Sequence, residues 1–87
     1  MPNRDERALA LIRDVLAQTG TRIDDKMSTI QITIALNRAL SDCIAKSGHH
    51  DILSIERVGR RVDVFHLFEG RQMISSVTFD QIKSLQF

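Results

Sequence analysis

The sequence predicts an α+β fold of the order α-α-β-β-β-α. Two N-terminal helices and a short C-terminal helix pack on one three-stranded antiparallel meander, in two layers. Three observations carry that expectation. Apolar residues recur at helical spacing in the first half of the 87 residues and in short strand-like runs in the second half. Four single glycines, Gly20, Gly48, Gly59 and Gly70, fall between those runs, where stops and turns are needed. The last forty residues are rich in β-branched and aromatic side chains.

The first helix is read from "NRDERALALIRDVLAQTG". Asn3 can cap it, and Glu6 three residues later can complete a capping box. Ala8, Leu11, Ile12, Val15 and Leu16 follow the i, i+3, i+4, i+7, i+8 rhythm and make one apolar stripe. Gly20 is a natural stop. "TRIDDK" then reads as a polar connection, with Asp24 or Asp25 available to cap the next element.

The second element carries two signals. In "STIQITIALNRAL", Ser28 to Leu40, Ile30, Ile32, Ile34 and Leu36 alternate as in a strand, with Thr29 and Thr33 between them. The later part, "ALNRALSDCIAKSG", is helix-favouring and has no glycine or proline before Gly48. A strand running into a helix needs a break near residues 35–37, and none is present. The favoured reading is one long helix from about Asp25 to Ser47, apolar over so much of its surface that it should be buried on more than one side. Strand-then-helix is the alternative.

"ILSIERV", "RRVDVFHLF" and "QMISSVTF" are the three strands, joined by tight turns at Gly59 and at Glu69-Gly70. Alternation predicts Leu53 with Ile55 on one face of the first strand. It places Val62, Val64, His66 and Phe68 together on the second, with Phe65 and Leu67 opposite, and Met73 with Val77 on the third. Asp80 is expected to cap a final helix "QIKSLQF" that turns Ile82 and Leu85 inward. A central strand apolar on both faces asks for cover on both, and in so short a chain the second cover can be another subunit.

Residues 1–87 are expected to form one domain. Composition bounds function by exclusion. Lysine and arginine number 12 against 11 aspartate and glutamate, a net charge of +1, which does not suggest a general polyanion binder. The single cysteine, Cys43, cannot form an intrachain disulfide and sits in a helical apolar pattern, the position of a small buried hydrophobe. The N-terminal sequence has no leader-like apolar core, and no run approaches the roughly 20 residues of a membrane span. A cytoplasmic setting is expected.

No nucleophile motif, glycine-rich phosphate loop or spaced metal-ligand set is legible, so the reading is non-enzymatic and without cofactor. "HHD", His49 to Asp51, is the one dense cluster of ligand-type residues, and adjacent histidines on a strand point apart. Nucleic acid binding rests on Arg57, Arg60 and Arg61 around the first hairpin, which could hold phosphates. Protein binding rests on surplus apolar surface of the sheet and of the long helix, whose extra apolar side is expected to meet a partner, with Phe65, Leu67 and Phe87 as anchors. The favoured function is a small protein-binding module, such as an adaptor, an assembly subunit or a phage-type inhibitor of a host system. Its expected partner is another protein or a second copy.

Two resemblances bear on the nucleic-acid reading. The element order is similar to that of the bacterial HU/IHF family of dimeric DNA-bending proteins. "LIRDVLAQTG", Leu11 to Gly20, looks like that family's first helix, and "LSDCIAKSG", Leu40 to Gly48, like the end of its second. The resemblance implies a dimer that grips DNA. The family's long basic β-ribbon with its Arg-Asn-Pro tip is absent, and "VGRRV" stands where its glycine-phenylalanine-glycine turn would be. If Ser28 to Leu36 were a strand, "TIQITIAL" would resemble ribbon-helix-helix repressors, with Gln31 and Thr33 as base readers.

Overall fold

The computed structural model describes residues 3–85. Its elements are α1 (Arg4–Thr19), α2 (Thr29–Ser47), β1 (Ile52–Val58), β2 (Arg61–Phe68), β3 (Arg71–Thr78) and α3 (Phe79–Lys83). The order is the one expected from the sequence, and the strands form one antiparallel sheet, β1-β2-β3.

Asn3 caps α1 by accepting the Glu6 N–H at 2.9 Å. Gly20 ends the helix in the left-handed region at φ 65, where its N–H turns back onto the carbonyls of Leu16 and Ala17. The predicted stripe of Ala8, Leu11, Ile12, Val15 and Leu16 is the buried face.

The second helix starts later than expected. Asp24 spends residues 24–27 on a tight turn: its side chain accepts the Lys26 N–H at 2.8 Å and its carbonyl the Met27 N–H at 3.0 Å. The cap is Ser28, in a reciprocal box with Gln31. The strand alternative for Ser28 to Leu36 is overturned, because that box starts a helix that propagates through good helix formers to Gly48. Gln31 and Thr33, the base readers of the ribbon-helix-helix comparison, are therefore helical. Thr33 donates its hydroxyl to the Thr29 carbonyl at 2.8 Å. The alternation has a helical meaning instead. Positions two apart differ by about 200° around a helix. Ile32 and Leu36 are buried with Ala39, Leu40 and Cys43, while Ile30 and Ile34 emerge on the far side, 59% and 48% exposed, so the helix is buried on one side and not on more than one as expected.

The two hairpins turn differently. Between Val58 and Arg61, Gly59 alone has a positive φ, 62. Between Phe68 and Arg71 both Glu69 (φ 52) and Gly70 (φ 79) are left-handed, the pattern of a type I′ turn. Alternation in β1 fails at its start. A bulge between Ile52 and Ser54 shifts the register, so Ile52 and Ile55 point into the core and Leu53 is exposed, not paired with Ile55 as predicted.

Helices α1 and α2 pack against each other and cover one face of the sheet, α1 over β2 and β3, α2 over β1. The core joins their stripes to Ile52, Ile55, Val62, Val64 and Val77. Thr78, not Asp80, caps α3, again in a box with residue Gln81. Starting the helix two residues early buries Phe79 as well as Ile82, with Leu85 packed against them.

One polar pair lies inside. His66 and Ser75 are 0% and 1% exposed, with His66 Nε2 2.7 Å from Ser75 Oγ and His66 Nδ1 3.1 Å from the Leu67 carbonyl. A carbonyl only accepts, so Nδ1 carries a proton, and in the neutral ring Nε2 accepts from the Ser75 hydroxyl. Among the described residues no buried side-chain nitrogen or oxygen lacks a partner.

These details set two stability effects. Glu69→Asn, which suits the left-handed turn position, should raise the unfolding free energy by about 0.5–1 kcal/mol in urea titration. Ser75→Ala strands the imidazole nitrogen and should cost about 1–3 kcal/mol. The double change Ser75→Ala/His66→Leu should be less destabilising than the sum of the two single changes, because neither polar group remains.

Candidate protein-binding surface

The outer face of the sheet is built by the residues that alternate away from the helices. β2 contributes Arg61, Asp63, Phe65 and Leu67; their cross-strand neighbours on β3 are Thr78, Ser76, Ile74 and Gln72. On β1 the neighbours are Val58, Glu56 and Ser54, and the bulge brings Leu53 to the same side. Leu53, Phe65, Gln72, Met73 and Ile74 line a shallow hollow of about 210 Å³. Ile74 is 53% exposed and Leu53 45%, while Phe65 and Leu67 are half-buried by their neighbours alone. No helix crosses this side among the described residues. The predicted anchors Phe65 and Leu67 thus sit together, at the centre of the apolar part of the face. Phe87 lies outside the described residues. Alternation in the sequence gives Ile74 no face and puts Leu53 on the face of Ile55; the bulge, which leaves no mark on the alternation, separates the two.

The other end of the same face is polar and internally paired. Asp63 accepts from Arg61 Nε at 3.1 Å and from the Ser76 hydroxyl at 2.9 Å. The Ser76 bond, with Arg61 beside it, holds the Asp63 carboxyl below the usual range. This splits the predicted arginine cluster. Arg61 is on the outer face, engaged with Asp63. Arg57 opposes Val62 on the helix-side register and donates to the Gly59 carbonyl at 3.0 Å, bracing the turn. Arg60 sits in the turn itself. The three surround the hairpin tip and do not share one face.

The "HHD" segment is a structural joint. Arg7 on α1 pairs with Asp51 at 3.3 Å. His50 Nδ1 accepts the Ile52 N–H at 3.0 Å, which fixes the entry into β1. No group of three or more metal-ligating side chains comes together among the described residues. Burial, chiefly, pushes the His50 pKa below its ordinary 6.5. Burial likewise raises the Cys43 thiol, which lies 3.9 Å from the Val15 carbonyl between α1 and α2, the inert setting expected of it. Ser75 and His66 are a nucleophile type beside a base type, and both are buried under the helices.

A second apolar feature lies on α2, where Ile34 with Thr33, Asn37, Arg38, Ser41 and Asp42 borders a more open depression of about 430 Å³. Ile34 is the one apolar residue among those six, and none of them is shared with the sheet face. No helix among the described residues is long and apolar enough to cross a membrane. No protein-family model, curated protein or solved structure matches the chain.

The His50 geometry sets a pH dependence. The folded state holds the imidazole neutral, so the unfolded chain takes up the proton first as pH falls. The contribution is complete above about pH 6.5 and declines below it. Unfolding free energies measured between about pH 7.5 and about pH 5 should fall more steeply for the native chain than for His50→Asn.

Proposed function

We propose that this protein is a small protein-binding module that docks through the outer face of its sheet. Its class is that of an adaptor, an assembly subunit or an inhibitor of another protein. The observation that supports the reading is the uncovered cluster of Leu53, Phe65, Leu67 and Ile74 on a fold whose helices all lie on the opposite side. Large apolar side chains grouped at one end of the face, bordered by Gln72 and by the polar set Arg61, Asp63 and Glu56 at the other end, supply the apolar anchors and polar margin that an interface uses. The pairing of Arg61 with Asp63 and the bracing role of Arg57 count against the phosphate-gripping alternative, in which Arg57, Arg60 and Arg61 would act together.

Site-directed photo-crosslinking in the native host tests this. A crosslinker at Leu67 should give a discrete heterologous product that Phe65→Asp abolishes, whereas a crosslinker at Asn37 on α2 should not. Absence of a product from Leu67, or equal products from both positions, would overturn the reading. Binding of a short DNA duplex that weakens steeply with salt and is lost in Arg60→Glu/Arg61→Glu would replace it with the nucleic-acid reading.

A further inference from the structure

The free edge of β3 carries hydrogen-bonding groups that the chain itself does not use. In an antiparallel hairpin closed by a two-residue turn, the residues flanking the turn exchange hydrogen bonds and every second pair does the same. Phe68–Arg71, His66–Met73, Val64–Ser75 and Val62–Val77 are therefore the bonded pairs of β2 and β3. The N–H and C=O groups of Gln72, Ile74 and Ser76 point the other way, and among the described residues they have no backbone partner elsewhere. The edge closes at Thr78, whose N–H donates to the Gln81 side chain.

The two edges of the sheet are unequal. β1 is blunted by its bulge and by the adjacent charges Glu56 and Arg57. β3 has eight residues, no bulge, no proline, and one charge, Arg71, at its very start. Edges of that kind are templates for another strand.

The geometry points to a second copy of this chain as the occupant, pairing β3 with β3 antiparallel about a two-fold axis at Ile74. In that register Ile74 meets Ile74 of the second copy, and Gln72 meets Ser76, so the unused groups of each copy satisfy those of the other. Side chains agree with it. The Ser76 hydroxyl, already donating to Asp63, is left to accept from the Gln72 amide of the second copy. Arg71 stands opposite Val77, next to the first turn of α3, where Asp80 lies. Arg71 and Asp80 are both exposed, and neither forms an ion pair in the single chain among the described residues. The symmetric pairing brings these opposite charges together twice, and sets no like charges against each other along the strand.

The dimer also enlarges the outer face. With strands about 4.8 Å apart and a rise of about 3.3 Å per residue, one sheet presents roughly 370 Å². The joined sheets present roughly 740 Å², close to the ~800 Å² each partner gives to a standard interface. Edge pairing itself does not depend on the outer-face reading; of its variants only Ile74→Pro touches the proposed docking cluster, and the Arg71 and Asp80 reversals lie outside it.

Light scattering behind size exclusion should show a mass rising from one chain toward two between about 1 μM and about 200 μM, as weak interfaces do. Over the same range, exchange of the Ile74 amide should slow. Ile74→Pro removes the central edge N–H and spares the ladder to β2, so it should be folded and monomeric. Arg71→Asp and Asp80→Arg should each weaken the dimer about tenfold, and together restore it. This pair decides the matter should the proline variant fail to fold. A chain that is monomeric at about 200 μM, a dimer whose Ile74 amide exchanges freely, or charge reversals without mutual rescue would overturn the proposal. Loss of the Leu67 crosslink with the dimer intact would instead strike only the proposed function.

Discussion

Among the described residues the helices cover one face of the sheet and leave the other open. That constraint arises from the central strand. β2 is apolar on both sides, with Val62 and Val64 inward and Phe65 and Leu67 outward. The stripes of α1 and α2 meet the inward set and are consumed by it. α3 adds only Phe79 and Ile82 to the same side. The outward set is left to shield itself, and the half-burial of Phe65 comes from Leu53 and Ile74 beside it. A short chain that buries a modest share of its surface has this residue of exposed apolar area as its normal outcome.

Polar residues specify the arrangement that the apolar ones stabilise. Three caps, Asn3, Ser28 and Thr78, set where each helix begins, and two of them are reciprocal boxes. The two turns differ in kind, one needing a left-handed residue once and the other twice. Each registers its strands so that alternate side chains point the same way. The His66–Ser75 pair spans β2 and β3 diagonally beneath the helices. A slip of one residue would turn Ser75 out and leave the imidazole without it, so the pair helps to select the register.

The candidate surface was partly legible in the sequence. Phe65 and Leu67 follow from period-two alternation in "RVDVFHLF", which needs no tertiary information. The arginines show the opposite case. Their closeness in sequence suggests a patch, yet strand alternation sends Arg57 and Arg61 to opposite faces of the hairpin, and local acceptors engage both. Proximity along a strand is a poor guide to a shared face. Leu53 fails for a related reason: a bulge inserts one residue into the ladder, and nothing in the composition of "DILSIE" announces it.

By itself the sequence determined the element order, the helix and turn positions to within a few residues, the buried stripe of α1 and the two faces of β2. These depend on local periodicity, capping and the conformational freedom of glycine, all of which act over a few residues. Tertiary structure alone decided the rest. It settled "STIQITIALNRAL" in favour of the helix the sequence favoured, because packing of Ile32 and Leu36 against α1 outweighs an alternation that a strand would also satisfy. It set Ser75 against His66 across the β2–β3 hairpin and placed Leu53 of β1 and Ile74 of β3 around one hollow. It also chose which face of the sheet the helices cover, since a period-two pattern says that two faces exist and not which one a distant helix will reach.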